Sequence, residues 1–398
     1  MDSLKLKNIF KKFSILNETN LIFKSYYQEH KAKKSLKYYN KKINRNPSIY
    51  KSCDVAKALR ERLLNRGINI NPKRKGELHI FLSFTLNNWE KVLPLALKPF
   101  GNVSVFEWRS LGFDENSKGW LRYRDSMNAE MIKAFQNANS QQPIDAVVGY
   151  LSGYNTSPQV INEIGGLGAI IFNFCWDDKL NFPGRIIGGR YTSPAAIASS
   201  VDLNLTNSPE SIIKYLAHGG LSIFWPEAAY PGFHKPYDVI FEHDVSFVGE
   251  KYGYRPKFIK KLRSMGIKVY CFGIGWENGP VSDEEMVKLY SKSRINLGFS
   301  GIGYSKRLMC LKGRDFEVPM SGGLYLTQNN PELSLVYEIG KEIITYENEV
   351  DCAKKIIWLL ENPKEAKKIR NAGWRRALKD HSWEKRFEDI FRLAGIIN

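Results

Sequence analysis

From residue 79 onward, short apolar runs alternate with stretches whose apolar residues recur at helical spacing. The runs at 79–84, 103–108, 145–150, 169–174 and 202–205 are short and apolar-rich, which predicts strands. Between them, 89–97, 120–138, 158–164 and 209–217 read as helices. The pattern then restarts, with strands at 244–249, 269–272, 295–299, 324–327 and 342–345 and helices at 256–264, 283–291 and 352–361. Strands separated by helices predict a parallel sheet covered on both faces, and the restart predicts two such sheets in succession. The join at 230–237 is rich in proline and glycine, as a hinge between domains is. Residues 1–75 differ: lysines recur among scattered Phe10, Phe13, Leu16, Tyr26, Tyr27, Tyr38 and Tyr39. This implies helical segments interrupted at 44–47, with Asp54 capping a helix over 55–65. The fold class is therefore α/β, two Rossmann-like doubly wound domains with a basic, mainly helical N-terminal extension. The expected boundaries are 1–76 for the extension, 77–232 and 233–380 for the domains, and 381–398 for a final helix placed to cross back to the first domain.

Charge sharpens this division. Residues 1–76 hold 20 Lys and Arg against 5 Asp and Glu, so +15 of the formal +18 lies in the extension and the rest of the chain is nearly neutral. Such a segment suits an anionic membrane surface, a polyanionic glycan or nucleic acid, or else forms a solvated helical arm. The five cysteines, Cys53, Cys175, Cys271, Cys310 and Cys352, are odd in number and widely spaced, which argues against a disulfide framework or a structural zinc. Apolar runs such as 167–172 fall far short of the about 20 residues that cross a bilayer, and no apolar stretch follows the first lysines as in a signal peptide. The expected location is cytoplasmic, with the extension resting on the inner membrane face.

Candidate chemistry concentrates between Lys312 and Leu333. Arg314 and Glu317 lie three residues apart, so a helix puts them on one face, and Gly322-Gly323 then turns the chain into the next strand. A cation beside a carboxylate at a tight turn supplies what a sugar nucleotide requires: positive charge for the diphosphate and an acceptor for the ribose hydroxyls. The same spacing also describes an ordinary surface salt bridge. A second phosphate cradle is the loop from Gly249 through Gly253 to Arg255, where a strand ends, glycines turn, and Pro256 opens a helix whose free N–H groups attract anions. Trp276, after Gly273 and Gly275 at a strand's end, stands where nucleotides bind in open parallel sheets, either stacking on the base or packing in the core.

Several motifs occur together in order: Asp244-Val-Ser-Phe-Val-Gly249, Gly273-Ile-Gly-Trp276, Arg314-Asp-Phe-Glu317, Gly322-Gly323, Asn330-Pro331-Glu332-Leu333 and Gly340-Lys341-Glu342. Ala372-Gly373 and His381-Ser-Trp-Glu-Lys-Arg386 close the series. The chain resembles a glycosyltransferase of the two-Rossmann-domain GT-B type, in the CgeB-like branch related to the group 1 glycosyltransferases. The likeness is strongest over 244–387, fainter over 79–236, and excludes 1–75. It implies a nucleotide-sugar donor held by the second domain, a glycan, lipid-linked or cell-surface acceptor held by the first, transfer in the cleft between them, and no cofactor or metal. In the group 1 pattern a Glu followed five residues later by Gly binds the donor ribose, and Glu317 with Gly322 keeps that spacing. The pattern has another Glu eight positions before it, where this chain has Met309, so the donor-sugar contact and the stereochemical course do not carry over. The resemblance also implies a base in the first domain. Asp177 and Asp178 end an apolar strand there, with Asp178 favoured, and His218 before Gly219-Gly220 competes. Two other readings remain: a sugar transferase acting on nucleic acid, or a non-catalytic CgeB-like assembly or coat protein. A dinucleotide oxidoreductase fits less well, because no Gly-x-Gly-x-x-Gly follows the first strand of either domain.

Overall fold

The computed structural model describes residues 3–43, 52–85, 89–187 and 189–398. The expected break at 44–47 lies outside them, as do the side chains of Phe10, Phe13, Leu16 and Cys53. The chain divides into two compact units, an N-terminal unit of residues 35–226 and 383–398, and a C-terminal unit of residues 227–382 with residues 1–34.

The N-terminal unit is built on a six-stranded sheet. Its strands are β1 (Leu78–Ser83), β2 (Gly101–Phe106), β3 (Ala146–Gly149), β4 (Ile170–Cys175), β7 (Leu203–Thr206) and β8 (Ser222–Phe224). They lie in the order β2-β1-β3-β4-β7-β8, and every pairing is parallel. All six residues of β1 are buried, as its mainly apolar run predicts, His79 and Ser83 included. A two-stranded antiparallel hairpin, β5 (Ile186–Ile187) with β6 (Arg190–Tyr191), stands outside the sheet. The hairpin and β8 escape a reading of periodicity because two or three residues cannot display one. Where one helix was expected over 120–138, a 3-10 turn Trp120–Arg122 precedes the helix Arg124–Gln141, and the segment 89–97 likewise splits into a 3-10 turn Trp89–Val92 and a short helix Leu93–Leu97.

The end of the basic extension is structural in this unit. Helix Ser52–Asn65 buries Val55, Leu59 and Leu63. The following Arg66 forms a short ion pair with Asp202, and Arg62 approaches the same carboxylate at 3.8 Å. Asp202 is sealed from solvent and also accepts the Ile171 N–H at 2.8 Å, so these arginines neutralise a buried acid rather than wait for a partner. The last helix, Trp383–Ala394, lays an apolar stripe on the same unit: Phe391 meets Phe100 and Phe172, and Trp383 joins Trp176 and Trp225.

In the C-terminal unit, five strands run in the order β10-β9-β11-β12-β13, again wholly parallel. They are β9 (His243–Val248), β10 (Val269–Phe272), β11 (Ser293–Leu297), β12 (Tyr325–Gln328) and β13 (Ile344–Tyr346). The last starts two residues later than its apolar pattern suggests. Phe247, Phe258, Leu297, Phe299, Leu326 and Ile356 form the centre of its core. Caps are legible in the sequence: Ser282 accepts the Glu285 N–H at the start of Asp283–Lys292, and Asn348 accepts two N–H groups at the start of Glu349–Glu361. In each sheet the crossovers leave in opposite directions from two neighbouring strands, β1 and β3 in one, β9 and β11 in the other. Ligands of open α/β sheets bind beyond the carboxyl ends of such a pair.

Candidate functional site

At the carboxyl end of β9 the backbone of Gly249 crosses that of Gly273 so closely that a Cβ on Gly273 would stand 2.4 Å from the Gly249 carbonyl oxygen. Gly273 also has a φ of 124°, which side-chain-bearing residues rarely adopt. The glycines thus let two loops meet where the sheet opens. The helix Arg255–Ser264 begins one residue earlier than its sequence suggests, and Arg255 is buried rather than solvated, only 3% exposed. Its guanidinium donates to the Glu250 carbonyl at 3.0 Å and the Tyr252 hydroxyl at 3.1 Å, and lies 5.5 Å from the Phe247 ring centre. Arg314 comes to the same ring from the other side of the sequence, 5.9 Å from its centre. Among the described residues neither arginine forms an ion pair. Burial, and then the neighbouring Arg314 charge, push the Arg255 guanidinium below its ordinary pKa. Two cations gathered at one strand end without a paired acid create a site of concentrated positive potential.

Arg314 and Glu317 do share the helix Gly313–Met320, but they do not form the surface salt bridge that their spacing also allowed. Instead the Glu317 carboxylate folds toward the helix start, where a Cβ on Gly313 would stand 2.8 Å from it, and accepts the Tyr290 hydroxyl at 3.4 Å. Asp315 fixes the helix: its carboxylate accepts the Lys312 N–H and the Tyr325 hydroxyl, both at 2.8 Å. Gly322, at φ 69°, turns the chain under Pro236, and Gly323 passes against Asn296 and Val318. Met309, in place of the group's upstream Glu, pairs its backbone with Gly301.

Burial raises the Asp315 carboxyl to about 6. Its unfolded value is near 4, so between about pH 4 and 6 the folded state holds a proton that the unfolded state releases, and stability falls as pH rises through that window. Asp315→Asn is expected to flatten this part of a chemical-denaturation profile; an unchanged slope would show that Asp315 titrates normally.

Other expected residues fall differently. Trp276 is 7% exposed, edge-on to Phe247 and covered by the Lys251 ammonium 5.1 Å from its ring, so no open face is presented to a base. Gly253 packs against the Gly303 carbonyl. Arg307 pairs at 4.0 Å with Glu29 of the N-terminal helix Ser3–Lys42, which also accepts the Ser305 hydroxyl, while Gln28 accepts the Tyr304 N–H. The lysine-rich sequence gave no sign that these two polar residues would hold that loop.

Of the three candidate bases, Asp178 requires correction. Asp178 has no exposed surface; it accepts the Tyr215 hydroxyl at 2.8 Å, while Lys214 donates to its backbone carbonyl. A sealed carboxylate bound this way fixes the loop and cannot reach an acceptor. His218 sits among Tyr39, Phe182 and Tyr191, and burial lowers its pKa. Asp177 alone of the three is exposed, on a cavity beyond β1 and β3. Among the described residues, no three His, Cys, Asp or Glu cluster as metal ligands would, and no helix is long and apolar enough to cross a membrane.

Residues 255–392 match the family described as glycosyl transferase-like. No curated protein matches the chain. Solved structures share its fold at low identity. Sucrose-phosphate synthase from Thermosynechococcus elongatus is 11% identical with a TM-score of 0.55, over 80% of this chain and 98% of that one. A glycosyltransferase from Rickettsia africae is 11% identical, TM-score 0.53, over 80% and 98%. Anabaena HepE, in complex with UDP and glucose, is 12% identical, TM-score 0.52, over 79% and 99%. The chain therefore has the GT-B fold of two Rossmann-like units, and its residues 255–392 carry the sequence pattern of the glycosyl transferase-like family.

Proposed function

We propose that the protein transfers a sugar from a nucleotide-sugar donor to a glycan, lipid-linked or cell-surface acceptor, in a cleft between its two units. The observation that carries this reading is the pair Arg255 and Arg314 over Phe247 at the end of β9, neither in an ion pair among the described residues, with Glu317 one helical turn from Arg314. A nucleoside diphosphate brings two adjacent negative groups, a ribose diol and a base, and these cations and this carboxylate complement the first two. As the diphosphate departs, negative charge grows on its oxygens, and fixed guanidinium groups and the helix start at Arg255 stabilise it without a metal or cofactor. HepE, which shares the fold, is described with UDP and glucose bound, consistent with a uridine donor here. Transfer of a hexose in the cytoplasm, in the manner of the CgeB-like branch, completes the reading.

Thermal unfolding against a panel of nucleoside diphosphates and nucleotide sugars tests it. One base and one sugar are expected to raise the midpoint well above the rest, since a ligand at about 100 times its Kd adds about 2.7 kcal/mol. A flat response across the panel would refute the donor site and favour a non-catalytic role. The helix Ser3–Lys42 exposes Phe23, Tyr26 and Tyr27 beside its lysines, the combination that anchors proteins at an anionic bilayer surface. Flotation with phosphatidylserine vesicles tests this contact, and salt-sensitive retention of duplex DNA would point to nucleic acid in its place.

A further inference from the structure

The N-terminal unit holds a second concave site that donor binding does not use. Beyond the carboxyl ends of β1 to β4 lies a cavity of about 430 Å³, at the strand pair where the crossovers part. Three acids, Glu90, Glu115 and Asp177, line it together with the rings of Trp108, Tyr150 and Tyr154. Among the described residues no lysine or arginine does.

Glu115 is held in place. Glu115 accepts the Asn155 amide at 2.9 Å, and Asn155, itself buried, accepts the Ser152 N–H at 2.8 Å. Burial pushes the Glu115 carboxyl above its usual range, with Asn155, Arg109 and Trp108 acting against that. Trp108 is 1% exposed, and its indole N–H lies against the Glu115 carboxylate and helps to hold it. Carboxylates accept from hydroxyl pairs and aromatic rings cover the apolar faces of sugar rings, so the lining complements a polyhydroxylated ring. The same carboxylates repel acidic groups.

We infer that this cavity binds the accepting end of a saccharide that carries no acidic group, and that it rejects uronic acids, sugar phosphates and phosphodiesters. The inference rests on the glycosyl-transfer reading and specifies its acceptor. A ring seated there places a hydroxyl beside Asp177 or Glu115, the two acids that solvent reaches.

The test is binding of the full chain to a printed array of neutral, N-acetylated, uronate-bearing and phosphorylated glycans, repeated with Glu115→Gln and Asp177→Asn. Bound glycans are expected to end in non-acidic residues, with at least a tenfold loss in Glu115→Gln. Calorimetric titration of uridine diphosphate into the same samples separates the two readings, because Glu115→Gln lies outside the donor site and keeps nucleotide affinity while it loses glycan. Binding confined to acidic glycans, no glycan binding by a chain that binds nucleotide, or glycan binding by both variants as strong as that of the unmodified chain would each overturn the inference. Loss of nucleotide binding alone would overturn only the donor assignment.

Discussion

Arg314→Ala is expected to weaken binding of a nucleoside diphosphate by ten- to a hundredfold. Hydrogen bonds to charged groups contribute about 1.5 to 3 kcal/mol, and each 1.4 kcal/mol is a factor of ten in affinity. Arg314 is the cleaner probe of the two arginines. Arg255 is buried and holds the Glu250 carbonyl and the Tyr252 hydroxyl, so its removal would disturb the loop as well as the ligand. Arg314 forms no ion pair among the described residues, and no side-chain hydrogen bond of a loop depends on it. Glu317→Ala should lower affinity less, through the lost ribose contact, and should spare free pyrophosphate, which has no ribose. Calorimetry with uridine diphosphate and with pyrophosphate distinguishes the two residues. Undiminished affinity in both variants would remove the site.

Trp383→Ala should cost the N-terminal unit about 3 to 5 kcal/mol, the usual loss when a buried Trp or Phe is truncated in a core. The ring is 1% exposed, with centroids 5.7 Å from Trp225, 6.5 Å from Trp176 and 6.2 Å from Phe387. Backbone locks reinforce the contact: the Trp225 indole donates to the Arg386 carbonyl at 3.0 Å, and Arg386 donates to the Pro226 carbonyl at 3.1 Å. Hydrogen exchange reads the effect unit by unit, which a single unfolding curve of a two-unit chain does not. Amides of β4 and β7 should exchange at least a hundredfold faster, with β9 and β11 as internal reference. Unchanged protection in β4 and β7 would mean that the last helix is an appendage.

The strand and helix pattern was readable because a doubly wound sheet imposes it: strands covered on both faces are predominantly apolar, as β1 and β4 are but for His79, Ser83 and Asn173. Motif order likewise pointed to the GT-B fold, since residues in 244–387 keep their spacing along the chain. The spacing of Arg314 and Glu317 gave their shared helix, because three residues make nearly one turn. Spacing could not tell whether the two would pair with each other. That depended on Phe247, which gathers Arg314 and Arg255 from positions far apart in sequence.

Burial was the other unknown. Adjacent Asp177 and Asp178 are alike in sequence, yet one faces the cavity and the other is sealed beneath Tyr215, because consecutive residues point in different directions and only packing decides which side is inside. The acids Glu90 and Glu115 carried no signal at all, since neither belongs to a motif and each reaches the cavity from a different segment. The extension's charge was evident from composition, but its arginines near Asp202 proved structural, because they offset the charge of that sealed carboxylate. The sequence by itself determined the alternation, the two-sheet plan and the charge of each segment, all of which are local or additive. Which charges meet, which are buried and which line a cavity depends on contacts between distant segments, and only the tertiary structure decided them.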